Sequence, residues 1–117
     1  MDSDAFVRAI ERHARDSAIN STVSNLDLPP GRSPEPELLE ASKWYCGLSD
    51  SEKRVVQWII HLATDHATLG FLAIIDGSRA IEGGPSKGHL ELYYCAEGER
   101  RLLNDPAKEP LNDKLMV

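Results

Sequence analysis

The chain has 117 residues, 41% of them apolar and 27% charged, and its 13 Lys and Arg against 19 Asp and Glu leave a net charge of −6 and a pI near 5.1. That is one domain by length with an ordinary globular composition, and the lack of clustered Lys and Arg argues against nucleic acid as a ligand. No apolar run is read as approaching the roughly 18 residues of a membrane span, and the acidic start Met1-Asp2-Ser3-Asp4 lacks the basic opening of an export signal, so a cytoplasmic, non-membrane protein is expected.

A first helix is predicted over Asp4–Ser17, capped by Ser3, with Phe6, Ile10, Ala14 and Ser17 on one stripe and Arg8, Arg12 and Arg15 away from it. Residues 20–33 shift to Ser, Thr, Asn, Pro and Gly, ending Pro29-Pro30-Gly31-Arg32-Ser33, and predict a long surface connection. A second helix opens at Ser33, where a hydroxyl cap precedes Pro34 and Glu35, and runs to about Cys46 before Gly47 stops it. Ser49-Asp50-Ser51-Glu52 is a capping box, so a third helix starts at Asp50. At 100° per residue it places Val55, Val56, Trp58, Ile59, Ile60, Leu62, Ala63 and His66 on one broad arc, opposite Lys53, Arg54, Gln57, His61, Thr64 and Asp65. An arc that wide predicts a central core helix with the apolar side inward.

Gly70 reads as the end of that helix, and Phe71–Ile75, the turn Asp76-Gly77 and Ser78–Glu82 read as a β-hairpin, since Asp-Gly between apolar residues is a strong hairpin signal. After the loop Gly83-Gly84-Pro85-Ser86-Lys87-Gly88, the alternation in His89–Cys95 predicts a strand with Leu90, Leu92 and Tyr94 inward. Glu97-Gly98 then turns the chain so that Arg100–Asn104 pairs back, and the tail from Leu111 docks or frays. The expectation is a single α+β domain over 1–117, with three N-terminal helices packed on a C-terminal four-stranded antiparallel meander.

Reactive side chains are present, but no motif gathers them. His61 and Asp65 stand four apart, a spacing that lets a carboxylate orient an imidazole for proton transfer, yet they fall on the polar arc without a nucleophile. His66 falls among apolar residues, where a buried ring either satisfies one hydrogen bond or becomes a tuned base. His61 and His66 are five apart rather than the four that aims two ligands at one metal, so neither a metal nor a cofactor is expected. Gly83 to Gly88 lacks the GKS or GKT order and the following helix of a phosphate loop. Cys46 and Cys95 have no CxxC partner and are expected as buried thiols.

Charge is uneven. Between Asp27 and Glu52 six acids, Asp27, Glu35, Glu37, Glu40, Asp50 and Glu52, face Arg32 and Lys43. Acidic residues beside large aromatic ones suit protein recognition, which selects Glu37, Glu40, Trp44 and Tyr45, with Glu91 and the outward Tyr93 on the strand, as a candidate binding set. Trp44 also fits a core filler, because aromatic residues are only 6% of the chain.

The segment from Phe71 to Pro106, with FLAIIDGSRAIE and GHLELYY followed by GERRLLNDP, resembles a group of small uncharacterised bacterial α+β proteins. The resemblance covers the C-terminal half of the chain, implies a fold, and carries no catalytic residues. The leading functional reading is a non-enzymatic acidic domain that binds a basic protein partner, as immunity and antitoxin-like proteins do. The alternatives are a small hydrolase-like enzyme built on His66 or the His61 and Asp65 pair, and a homodimer formed through the meander edge or outer face.

Overall fold

A computed structural model describes all residues from Met1 to Val117. In chain order the elements are α1 (Ser3–Ile10), a π-helical segment (Glu11–Asp16), α2 (Ser17–Asp27), α3 (Pro36–Cys46), α4 (Asp50–Asp76), β1 (Tyr93–Ala96), β2 (Glu99–Leu102) and α5 (Leu111–Lys114). The α1, π and α2 segments are consecutive, so the N-terminal helix extends to Asp27 through residues expected in a surface connection. Within α2 the side chain of Thr22 bonds back to the Ala18 carbonyl at 2.7 Å. Ile19, Val23 and Leu26 carry a helical spacing that the surrounding Ser, Thr and Asn obscure. The actual connection is residues 28–35, and Pro36, at the first turn, opens α3 where its missing N–H costs nothing.

The four-stranded meander is absent; the only sheet is the two-stranded antiparallel pair of β1 and β2, in which Tyr93 faces Leu102 and Ala96 faces Glu99. Its turn is the predicted one, with Glu97 at φ 49° and Gly98 at φ 80°, the double positive φ of a tight hairpin turn. The other predicted hairpin does not form, because Phe71–Asp76 continues α4 to a length of 27 residues. A glycine inside a helix costs only about 1 kcal/mol, and here Gly70 is buried with the Arg79 guanidinium lying over it. Asp76-Gly77 ends the helix instead: Gly77 takes φ 78°, the Ser78 N–H reaches the Ala73 carbonyl at 2.9 Å, and the Gly77 N–H reaches that of Ile74 at 3.1 Å. This is the Schellman closure that a left-handed glycine permits. At the other end of α4 the capping box forms as expected, with Ser49 and Glu52 each satisfying the other's backbone N–H.

The core lies at the C-terminal end of α4. Val7, Leu72, Leu111 and Leu115 form it, with Phe6, Leu69, Ile75 and Leu92 packed on its edge. The tail therefore docks. Both Asp76 carboxylate oxygens accept N–H groups opening α5, from Leu111 and Asn112, each at 2.8 Å. The N-terminal helix grips the same tail: Glu11 accepts the Met116 N–H at 2.7 Å, and Arg8 and Arg15 donate to the Lys114 and Met116 carbonyls. Asn104 ties the hairpin to α4, donating to the Ile75 and Leu90 carbonyls and accepting from the Leu92 N–H.

The N-terminal half of α4 departs from the predicted orientation, although Arg54 and His61 are exposed and Val56 and Ile60 half-buried. Val55, Trp58, Ile59 and Leu62 are 57%, 61%, 53% and 37% exposed, whereas Asp65 is buried. Helical periodicity locates an apolar stripe but not which stripe the neighbouring chain covers, and here α2 and the π-helical segment pack on the side bearing Asp65. In the same way Leu90 and Tyr94 are exposed rather than inward, since no helix covers that face of the short hairpin. Cys46 and Cys95 are free and exposed, not buried. Finally, an 18-residue window of α4 has a mean hydropathy of 1.4, with 22% of it buried, so by length and composition this one helix passes as a membrane span. Single polar residues such as Gln57, His61, Thr64 and Thr68 break the apolar run without lowering its average enough to exclude that.

Candidate functional site

The predicted binding residues do not form one surface. On α3 the packed side carries Ser42 and Tyr45, both buried. Ser42 donates to the Leu26 carbonyl of α2 at 2.6 Å, and the Tyr45 hydroxyl accepts from the Gln57 amide of α4 at 2.8 Å, which pins α3 between those helices. Tyr45 is 1% exposed and thus leaves the candidate set as a structural residue, its ring also covered by the Lys53 ammonium at 5.4 Å. Glu37, Glu40 and Trp44 lie on the opposite side and are exposed, Trp44 to 59%. At the helical pitch these three fall within about 60° of one another. Trp44 is accordingly no core filler.

Glu91 precedes β1 and Tyr93 opens it, and neither hairpin strand is among the elements that pack on α3. Glu91 is exposed and Tyr93 half-buried, its ring stacked under the Arg100 guanidinium at 3.8 Å and its hydroxyl donating to Glu91 at 3.4 Å. That stack ties Tyr93 across the strand pair, so the ring is held within the hairpin rather than presented freely.

A second constellation lies between the N-terminal helix and α4. His61 Nε2 is 3.2 Å from Asp65 Oδ2, and the other carboxylate oxygen lies 3.8 Å from Arg15 Nε, which also bonds Asp16 at 3.0 Å. The Asp65 side chain is 11% exposed and its Oδ1 has no hydrogen-bond partner, whereas half of the His61 side chain is open to solvent. His61 borders a groove of about 560 Å³ that also involves Ile19, Asn20, Val23, Gln57 and Trp58. The carboxylate sits beside Nε2 without a hydrogen bond between them, a juxtaposition of an acid and an imidazole on one helix face. No hydroxyl or thiol forms a hydrogen bond to His61, so the pair has no nucleophile in place. Sequence spacing brings His61 and Asp65 together; Arg15 is 50 positions away, and no local signal foretells its approach.

His66 is exposed and has no ionic or hydrogen-bonding partner, so the buried histidine expected there, whether satisfied by one hydrogen bond or acting as a base, does not form. No group of three or more His, Cys, Asp or Glu residues is placed to hold a metal ion. The glycine loop borders a hollow of about 380 Å³ together with Ile74, Arg79 and Leu90, with no helix start facing it. Three carboxyl and amino groups are displaced from their usual titration. Asp2 is held low, chiefly by the Ala5 N–H, and Glu52 low by the Ser49 N–H and then its hydroxyl; Lys114 is held high by hydrogen bonds to Asp4 and then Glu109. All of these are capping or tail-docking contacts rather than members of a site. Comparison with family models, curated proteins and solved structures returns no match to this chain.

Proposed function

We propose that the protein is a non-enzymatic acidic domain that binds a basic protein partner, of the immunity, antitoxin-like or regulatory kind. The observation that supports this most is the outward side of α3, where Glu37, Glu40 and Trp44 are exposed together while the other side of the helix is packed. A rigid aromatic ring supplies contact area at low entropic cost, and carboxylates within a net charge of −6 steer a basic surface toward it. A cytoplasmic setting goes with this reading, supported by two exposed cysteines that remain free, as a reducing compartment keeps them. The test is capture by immobilised protein at about 50 mM and about 0.5 M salt, using the parent chain, a Glu37→Gln/Glu40→Gln chain and a Trp44→Ala chain as baits. A basic protein held by the parent at low salt, and lost with either set of substitutions, is the expected result. Nothing retained under either condition counts heavily against the reading.

A second reading, a small hydrolase-like enzyme using His61 with Asp65, draws support from the buried carboxylate behind a half-open imidazole at a groove. Its test is turnover of a panel of activated esters. Hydrolysis abolished by His61→Ala favours it, and equal rates for the parent and His61→Ala remove it.

A further inference from the structure

The exposed residues of α4 are not scattered. Val55, Ile59, Leu62 and His66 follow one another at intervals of four, three and four, and the same spacing continues to Leu69 and Ala73. This alternation of three and four is the seam by which one helix packs along another. The seam changes state partway. Leu69 and Ala73 are covered by the chain's own core, while Val55, Ile59, Leu62 and His66 face outward. Trp58 flanks the open half on one side, and on the other the small Ala63 leaves room for close approach.

The molecule as a whole exposes more surface than a compact chain of its mass. A compact 13.0 kDa protein exposes about 6,300 Å², whereas this chain exposes 8356 Å², an excess of about 2,000 Å². Its radius of gyration is 18.5 Å, against about 13 Å for a compact domain of this length, and only 11 of 117 residues are buried.

We infer that the protein is a homodimer joined through the N-terminal half of α4, the open seam of one copy packing on that of a second. Among the occupants of such a seam, a second copy fits best on area and on pattern. Obligate homodimers bury about 1,000 to 2,500 Å² on each protomer, a range that contains the whole-chain excess, to which the exposed residues 77–91 also contribute, and a two-fold axis makes the same strip its own complement. Lipid would favour a helix apolar all round; the opposite side of α4 instead holds Gln57, hydrogen-bonded to Tyr45, and Asp65, paired with Arg15. A basic partner finds no acidic residue along the seam. His66 is the one polar member, and a polar residue at a single seam position sets register at some cost in stability.

Sedimentation equilibrium of the full chain over about 1 to 100 µM tests this directly. The expected mass is twice that of the 13.0 kDa chain, and Ile59→Glu/Leu62→Glu is expected to return it to the single-chain value with helical circular dichroism retained, because both side chains lie outside the chain's own core. If the double substitution unfolds the chain, Leu62→Ser replaces it, with an expected rise in the dimer dissociation constant of at least about tenfold. The Glu37, Glu40 and Trp44 substitutions are expected to leave the dimer intact, which keeps this result separate from partner binding. A parent chain monomeric at every concentration overturns the inference, as does a dimer indifferent to substitutions at Ile59 and Leu62. Uptake of a monomeric parent by phosphatidylcholine and phosphatidylglycerol vesicles would assign the strip to lipid instead.

Discussion

The two halves of α4 belong to one helix and are similarly apolar, yet they meet opposite fates. Toward its C-terminal end Leu72 is buried, because Val7 of α1 and the tail carrying Leu111 and Leu115 close over it, and Ala73 is buried beside it. In its first four turns Val55, Trp58, Ile59 and Leu62 remain open, since α2 and α3 dock on the side bearing Gln57 and Asp65 instead. Burial is thus decided by which other segment arrives, not by the apolar content of the stripe. The closed half is fastened by polar clamps, Asp76 on α5 and Glu11 on Met116, although Phe71 on its outer side stays 63% exposed.

The largest effect should come from the closed half. Leu72→Ala removes a side chain that is 1% exposed and is expected to destabilise the chain by about 2 to 5 kcal/mol in denaturant unfolding. The informative partner is Ile59→Ala: its cost should be small at low protein concentration and grow with concentration as the dimer forms, because mass action links assembly to stability. Equal, concentration-independent losses at both positions would break the contrast between the halves. Next in size is Asp76→Ala, which leaves the opening N–H groups of α5 without their carboxylate partner and is expected to cost about 2 kcal/mol, seen also as earlier proteolysis of the C-terminal tail. Ser49→Ala removes the cap of the open half and should cost about 1 kcal/mol.

The smallest effects are those of pH. The Ser49 N–H and hydroxyl hold Glu52 below its ordinary 4.5, so the unfolded chain binds that proton more readily; the contribution is present above 4.5 and lost as pH falls through the lower folded value. Lys114, raised above 10.5 by Asp4 and then Glu109, contributes fully below 10.5 and loses that contribution as pH rises through its folded value. Melting temperature against pH should therefore flatten on the acid side in Glu52→Gln and on the alkaline side in Lys114→Met.

Local chemistry was legible in part. Asp2 rather than Ser3 caps α1 by accepting the Ala5 N–H while the Ser3 hydroxyl donates to the distant Leu103 carbonyl, and Ser33 caps nothing because α3 starts at Pro36. The Ser49 and Glu52 box, the stop at Gly47 and the Glu97-Gly98 turn each depend on contacts inside one turn of chain. Asp76-Gly77 shows the limit, because a left-handed glycine serves a helix end as well as a hairpin, and the packing of Leu72 against Leu111 and Leu115 of the distant tail favours the helix. In the candidate surfaces, the outward grouping of Glu37, Glu40 and Trp44 follows from helical pitch on one element. The burial of Tyr45 and the approach of Arg15 to Asp65 require a second helix and had no signature in either segment alone.

By itself the amino-acid order determined the acidic balance, the Ser49 and Glu52 capping box, the close turn between β1 and β2, and the three-four spacing along α4, all properties of chain geometry within a few residues. Tertiary structure alone decided that Gly70 lies inside a helix, that the tail completes the core, and that the spacing from Val55 to His66 points outward. Those outcomes depend on contacts between residues far apart in sequence, whose free energy no short segment carries.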